Sequence, residues 1–365
     1  MRVTYDDQIF TMQRRGGISR YFVQIINAFR EDAGLAVDPT IAWRWTRNHH
    51  ALSAGLGASL PVLGGSSGRV IRMLNRTGSF DHTRADLAHR TYYRADYLRR
   101  NVRMPTAVTV YDMTPEVMPH LFPGGNPHQN KQNYVRGASV VFCISENTRQ
   151  DLLRVYGAID ATIIVTPLGV TEEFRSGVAA PLWCPNDYIL FVGNRSGYKD
   201  FQVVVEGLAE LGDRGREVSL LAIGGGAFTE AETALMSRWG LGRRVFQRGA
   251  SDGELPGIYA GAQAFVFPSR YEGFGLPALE AMACGTPSVL ADSSSLPEVG
   301  GDAALYFAPG DSSQLVAQLD RLLHDVAVRQ DLSSRGPARA REFTWGRTAS
   351  ETARGYRIAV AAGSN

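Results

Sequence analysis

The sequence predicts an α/β protein built from two doubly wound domains, each a mostly parallel sheet wrapped by helices. Three observations carry this. A length of 365 residues exceeds what one ordinary core fills, since cores divide beyond about 250–300 residues. Short apolar runs of strand length alternate with stretches at helical spacing along the chain, which implies βαβ units. The pattern breaks near residues 176–187, where Gly, Ala and Pro interrupt it. Domains are therefore expected at 1–180 and 181–345, with a helix at 346–365, and two such domains would face a cleft at the carboxyl ends of their strands.

The first strand is read at residues 2–5, followed by a polar loop that ends in Gly16-Gly17. Ile18, Tyr21, Phe22, Ile25, Ile26 and Phe29 then recur at helical spacing. Strand-like runs return at 106–110 and 138–144, and between them residues 115–133, rich in Pro, Gly and Asn, read as a long mobile loop. Ser145 suits the N-cap of the next helix. Beyond the break, strands are expected at 188–192, 218–223, 245–247, 264–267, 287–290 and 304–307. Helices are expected at 201–211, 227–239 and from 277 onward.

Composition narrows the function. With 44% apolar and 20% charged residues and no low-complexity tract, the chain is globular rather than disordered or collagen-like. Apolar runs such as 218–228 stop far short of the ~20 residues of a spanning helix, and the N-terminus lacks an apolar signal core, so a cytoplasmic protein is expected. Cys143, Cys184 and Cys284 are scattered in apolar settings and read as reduced core thiols. The net charge of +2 conceals an asymmetry: residues 1–180 hold 21 Lys and Arg against 15 Asp and Glu. The excess gathers at Arg69, Arg72, Arg76, Arg84, Arg90, Arg94, Arg99, Arg100 and Arg103. It reads either as the footprint of an anionic partner or as a solvated helix face.

The densest chemical signal is Pro268-Ser269-Arg270-Tyr271-Glu272-Gly273-Phe274-Gly275-Leu276-Pro277-Ala278-Leu279-Glu280. A buried strand ends at Phe267, a glycine-bearing loop follows, and Pro277 suits the first turn of a helix. Glycines admit a ligand close to the backbone, and a helix N-terminus favours an anion, so the pair makes a phosphate site. Glu272 and Glu280 flank it, and carboxylates accept hydrogen bonds from vicinal hydroxyls such as those of sugars and riboses. Taken alone, the two glutamates also fit a helix-dipole partner and a surface charge.

This stretch resembles the signature of the retaining glycosyltransferases of family 4, which have the GT-B fold and carry two glutamates in an E-G-F-G-L-P-x-L-E-A-M-A-x-G-x-P context. The likeness continues through Ser295-Leu296-Pro297-Glu298-Val299-Gly300-Gly301-Asp302 and in Val192-Gly193-Asn194-Arg195-Ser196-Gly197-Tyr198-Lys199-Asp200. It is dense in the C-terminal half and patchy in the N-terminal half.

The resemblance implies a GT-B architecture of two Rossmann-like domains, an acceptor-binding one first and a donor-binding one second, with the terminal helix crossing back to the first. Arg195 and Lys199 would neutralise the donor diphosphate, and Glu272 would hold the donor sugar as a third catalytic residue. Glu280 would hold the ribose. Gly17, Gly193, Gly224, Arg248, Gly273, Phe274, Gly275 and Leu276 would line the donor. Lys199 is one of only two lysines, with Lys131, beside 36 arginines. Gly16, His89, Tyr111 and Asp112 would meet the acceptor, although Gly16-Gly17 also suits core packing. Tyr111 stands where many relatives carry a histidine, and it would either bond a sugar hydroxyl or pack.

The implied reaction moves a hexose, with mannose the first choice, from a GDP- or UDP-linked donor to a saccharide or lipid-linked saccharide hydroxyl, with retention of configuration. No cofactor is expected, and no metal, since the sequence holds no Asp-x-Asp pair. The resemblance is to bacterial enzymes of surface polysaccharide and lipopolysaccharide assembly. Nucleic acid is not an expected partner, whereas peripheral association with an anionic inner membrane face is. Rival readings are a non-catalytic nucleotide-sugar-binding protein, a GT-B epimerase or phosphorylase, and a dinucleotide-dependent oxidoreductase. The last is disfavoured because Gly16-Gly17 lacks the full G-x-G-x-x-G spacing.

Overall fold

The computed structural model describes residues 1–59, 68–77, 84–98, 104–195 and 197–363. The chain forms two compact units, one from Met1–Gly169 with Trp345–Asn365 and the other from Val170–Thr344. The chain thus leaves the first unit at Gly169, earlier than the expected boundary at 180, because the 170–187 segment packs with the second unit. Val170 N–H, for instance, donates to Phe343 O at 3.1 Å.

In the first unit the strands are β1 (Arg2–Tyr5), β2 (Asp38–Ile41), the short pair β3 (Trp45–Thr46) and β4 (Ala58–Ser59), then β5 (Leu87–Arg90), β6 (Thr106–Val110), β7 (Val140–Cys143) and β8 (Thr162–Val165). Six of them make one parallel sheet in the order β2-β1-β5-β6-β7-β8, while β3 and β4 pair separately. The order reverses between β1 and β5, which is where doubly wound sheets open a crevice at their carboxyl ends.

The Gly17–Glu31 helix forms on the predicted spacing and buries Tyr21, Phe22, Ile25, Ile26 and Phe29. Ser145 caps the Glu146–Tyr156 helix, accepting from Thr148 N–H at 3.0 Å. The Trp345–Gly363 helix closes this unit's core. Gly355 lets it approach β7, since a Cβ there would stand 2.5 Å from Phe142.

The 115–133 segment is not the mobile loop its composition suggests. The Thr114–Val117 helix enters its start and the Lys131–Arg136 helix begins before its end. Fully buried Lys131 donates to Glu116 at 2.9 Å and to Asp112 O at 2.8 Å. Glu116 also accepts from Asn126 and from the Tyr156 hydroxyl, each at 2.9 Å. Pro and Gly here make turns around a buried ion pair.

In the second unit the strands are β9 (Tyr188–Val192), β10 (Ser219–Ile223), β11 (Val245–Arg248), β12 (Ala264–Phe267), β13 (Ser288–Ala291) and β14 (Ala304–Phe307). They form a parallel sheet ordered β11-β10-β9-β12-β13-β14, whose order reverses between β9 and β12. Strands β12 and β13 are wholly buried, as parallel strands covered on both faces must be. The helix expected from residue 227 begins at Glu230, because Thr229 and Glu232 build a capping box there. Cys143, Cys184 and Cys284 are all free thiols.

Candidate active site

The loop after β9 and the loop after β12 meet where the second sheet reverses its order. Lys199 ends a short turn at Gly197–Lys199, and its ammonium bonds the Glu272 carboxylate. Both side chains are mostly buried, at 18% and 13% exposure. The ammonium also lies over the rings of Tyr198 and Phe267, at 5.2 and 5.3 Å. Two further links join these loops: Arg270 N–H donates to Tyr198 O at 2.7 Å, and the Arg270 guanidinium donates to Asp200 at 2.7 Å. Asp200 adopts a left-handed backbone with φ of 48°, which Asp and Asn tolerate better than most residues.

Three successive serines pin the Glu272 loop. Ser293 Oγ donates to Ser269 O, Ser294 Oγ accepts from Glu272 N–H at 2.8 Å, and Ser295 Oγ donates to the carbonyls of Glu272 and Phe274. Ser293 and Ser294 carry one signal in the sequence, a polar run one residue past a strand and next to the 295–302 motif.

Gly275 then starts the Leu276–Ala283 helix at φ of 108°, where a Cβ would stand 2.7 Å from Leu296. The positive φ requires glycine. Pro277 has no N–H, and Ala278 and Leu279 donate back to Gly275 O. The Leu276 N–H is left with no protein acceptor among the described residues. Gly273 and Phe274 are buried below. Glu280, the fifth residue of this helix and so just past its first turn, is 4% exposed and accepts from the Tyr259 hydroxyl at 3.1 Å.

Arg195 departs from its expected role. It is 6% exposed and bonds Glu232 at 2.7 Å, Gly224 O at 2.7 Å, Gly226 O at 2.9 Å and Ala227 O at 3.0 Å. Its guanidinium also lies 4.9 Å from the Phe228 ring centroid. Burial pushes the Glu232 carboxyl upward, but the hydrogen bonds from Arg195 and Thr229 outweigh this and hold it below the usual range. Arg195 is thus a positioning residue. It gathers the carbonyls of a loop in which Gly224, Gly225 and Gly226 all have left-handed φ. Gly193 and Arg248 lie at the carboxyl ends of β9 and β11 in the same sheet.

In the first unit two expected acceptor residues are corrected. His89 is the third residue of β5 and fully buried. Its Nδ1 lies 2.6 Å from the Tyr356 hydroxyl and its Nε2 2.9 Å from Thr109 Oγ1, so neither nitrogen is left for a ligand. Burial lowers its pKa from 6.5 to about 3, so the native ring stays neutral while the unfolded ring titrates near 6.5. The stability tied to this neutral ring is full above that value and drains away as pH falls toward 3, at up to about 1.4 kcal/mol per pH unit. Urea midpoints measured from neutral pH down to about pH 4 are expected to fall less steeply for His89→Gln than for the wild type. Parallel slopes would remove the buried-imidazole account.

Tyr111 packs rather than reaching outward. It is 8% exposed, sits edge-on to Tyr21 and Phe22, and its hydroxyl reaches Thr91 O at 3.4 Å. Asp112 accepts from Thr114 N–H at 2.9 Å and is partly exposed. Gly16 precedes the Gly17–Glu31 helix, and a Cβ at Gly17 would meet nothing within 4 Å. Of the basic cluster, Arg90 pairs with Asp6 at 3.5 Å and Arg94 with Asp96 at 2.9 Å. Arg99, Arg100 and Arg103 lie outside the described residues, as do the side chains of Arg69 and Arg76.

Comparison with known proteins bears on this arrangement. Residues 185–339 match the family described as "Glycosyl transferases group 1". The chain is 29% identical over 238 residues to O-antigen chain mannosyltransferase B of Escherichia coli, an alignment covering 60% of this chain and 61% of that one. It therefore spans about three fifths of the length of that curated relative. Among solved structures it is similar to sucrose-phosphate synthase from Thermosynechococcus elongatus, with a TM-score of 0.75, 21% identity and coverage of 99% and 100% of the two chains. It is also similar to Anabaena Alr3699/HepE in complex with UDP and glucose, with a TM-score of 0.73, 18% identity and coverage of 96% and 98%. At these identities the structural likeness establishes the fold.

Proposed function

We propose that this protein is a retaining hexosyltransferase, on the match of residues 185–339 to the group 1 glycosyl transferases and the GT-B fold of its two parallel-sheet units. It would move a hexose, with mannose the first choice, from a nucleoside-diphosphate sugar to a hydroxyl of a saccharide or lipid-linked saccharide, with no catalytic metal. The observation that carries this reading is the meeting of Lys199, Glu272 and the start of the Leu276–Ala283 helix at the reversal of the second sheet. Mannose is favoured by the likeness to O-antigen chain mannosyltransferase B.

In this reading the ion pair stands in for a bound donor. A diphosphate would take the Lys199 ammonium, and the released Glu272 carboxylate would accept from sugar hydroxyls. As the glycosidic bond loosens, charge grows on the leaving phosphate. Lys199 and the Leu276 N–H, held in place beforehand, would stabilise it. Retention follows if the acceptor proton passes to that phosphate on the same face. Glu280 would take the ribose hydroxyls, with Tyr259 steering its carboxylate. Gly193, Gly224, Arg248, Gly273, Phe274 and Gly275 would line the donor. Gly16, Gly17 and Asp112 are the remaining candidates for the first unit's side of the reaction.

A panel of GDP- and UDP-sugars, read as nucleoside diphosphate release followed by product mass, tests the activity. No release from any donor in the presence of saccharide acceptors would refute it. Glu280→Ala is expected to weaken nucleoside diphosphate binding by about 1.5–3 kcal/mol, the worth of a hydrogen bond to a charged group. Unchanged affinity by calorimetry would count decisively against the ribose assignment.

The same proposal includes a peripheral seat on an anionic bilayer at the cytoplasmic face. No described helix is long and apolar enough to cross a membrane. The Gly68–Thr77 helix exposes Val70 and Met73, at 37% and 60%, with Arg72 between them, a composition suited to the interface of acidic lipids. Flotation with phosphatidylglycerol vesicles should be strong at low salt and weak for Met73→Asp. No flotation of the wild type at low salt ends the membrane idea.

A further inference from the structure

We propose that Arg248, laid on the ring of Trp183, reads the base of the nucleotide donor and selects guanine. This rests on the reading of the chain as a user of nucleotide sugars and names the base that site takes.

Arg248 is the last residue of β11 and is exposed. Among the described residues it donates to no protein acceptor and pairs with no carboxylate. Arg195 and Arg244 differ, since both engage their donors with carbonyls inside the fold. The Arg248 side chain is nonetheless placed, with its guanidinium carbon 5.5 Å from the centroid of Trp183. Trp183 sits in a turn closed by Cys184 N–H and Pro181 O at 3.0 Å, and its indole Nε1 donates to Glu254 at 3.2 Å. Glu254 also accepts from Ser251 N–H at 2.9 Å and Ser251 Oγ at 2.7 Å. The segment after β11 is therefore folded onto the indole that carries the arginine. Phe246, two residues back and on the same face of the strand, is 42% exposed.

Position then fits size. The sheet runs β11-β10-β9-β12, and adjacent strands stand about 4.8 Å apart. The Lys199 ammonium lies against Phe267 at the end of β12 and against Glu272 beyond it, so the end of β11 is three spacings, roughly 14 Å, from it along the sheet edge. A nucleoside diphosphate whose terminal phosphate meets Lys199 extends its base over that interval.

Chemistry selects the base. A guanidinium presents parallel N–H donors in a rigid fork, which matches the O6 and N7 acceptors on one edge of guanine. Adenine places an amino donor where O6 would be, and uracil sets its N3–H between its two carbonyls, so neither offers two adjacent acceptors to the fork. An ammonium at this position would lack the fork.

Calorimetry on the full chain with GDP, UDP and ADP tests the proposal. The wild type should bind GDP at least tenfold more tightly than UDP or ADP. Arg248→Ala should bring GDP within twofold of UDP while UDP affinity shifts less than twofold, and Arg248→Lys should not restore the preference. Trp183→Ala should shrink the GDP-to-UDP ratio, and Trp183→Phe, which keeps a ring beneath the guanidinium, should retain it. A purely structural role for Trp183 would lower both affinities together and leave the ratio alone. Equal GDP and UDP binding by the wild type, or a ratio unmoved by Arg248→Ala, overturns the base-reading role while leaving the transferase reading standing. Failure of every nucleoside diphosphate to bind would sink both. Should Trp183→Ala fail to fold, exposed Arg248 still carries the test.

Discussion

Replacing Lys199 by alanine is expected to lower hexosyl transfer by about 10²–10³-fold, the cost of removing one preorganised donor from a developing anion. The ammonium touches Glu272 and two ring faces at the carboxyl end of the sheet. Far-ultraviolet circular dichroism should therefore change little, and the thermal midpoint should fall by less than for loss of the fully buried Lys131, since Glu272 keeps 13% exposure. Two comparisons sharpen the expectation. Lys199→Arg keeps the charge but exchanges a compact ammonium for a planar fork, so it should recover only part of the rate. Arg195→Ala should act differently, since Arg195 holds the carbonyls of Gly224, Gly226 and Ala227. Its loss should raise the donor KM and lower stability together. Near-normal turnover by Lys199→Ala would refute the role given to this residue and, with it, the electrostatic account of leaving-group departure.

The largest expected effect on stability lies in the first unit. Lys131 is completely buried against Glu116, whose side chain is only 7% exposed. Lys131→Met removes the cation and leaves a carboxylate in the interior, a change that costs about 3–5 kcal/mol when one partner of a buried pair is deleted. Hydrogen bonds from Asn126 and Tyr156 to Glu116 survive, which places the expected loss toward the lower end. The double variant Lys131→Met/Glu116→Leu should lose less than the single one, because no uncompensated charge remains. Urea denaturation followed by circular dichroism reads both. A single variant within about 1 kcal/mol of the wild type would show that the ion pair contributes no more than an exposed one.

These two lysines illustrate what was legible beforehand. Lys199 stood out because a strand, a glycine and a helix start surrounded it, and that local order sets where a side chain sits relative to a parallel sheet. Lys131 did not, because its partner Glu116 is separated from it by Pro, Gly and Asn, residues that read equally well as mobile loop and as tight turns around an ion pair. Both sheets were visible where strands are long and wholly apolar, as in β7, β9 and β12. Strands such as β2, with Asp-Pro-Thr-Ile, and β5, with Leu-Ala-His-Arg, carry no such run. Their pairing is decided by neighbours distant in sequence.

His89 was misplaced for that reason. The resemblance pointed it at the acceptor, but Tyr356, from the far end of the chain, and Thr109 take both of its ring nitrogens. Arg195 was misjudged likewise. Glu232 and the glycine carbonyls that engage it come from a later βα turn. No pattern around residue 195 announces them.

Because Trp345–Gly363 belongs to the first unit while Val170–Thr344 forms the second without interruption, the usual sequence of events during synthesis is inverted. A nascent chain possesses every residue of its downstream lobe while the upstream one still lacks the helix bearing Tyr356. Until that helix emerges, Tyr5 and His89 wait without the hydroxyl they share, and the earlier-made half is the later to mature.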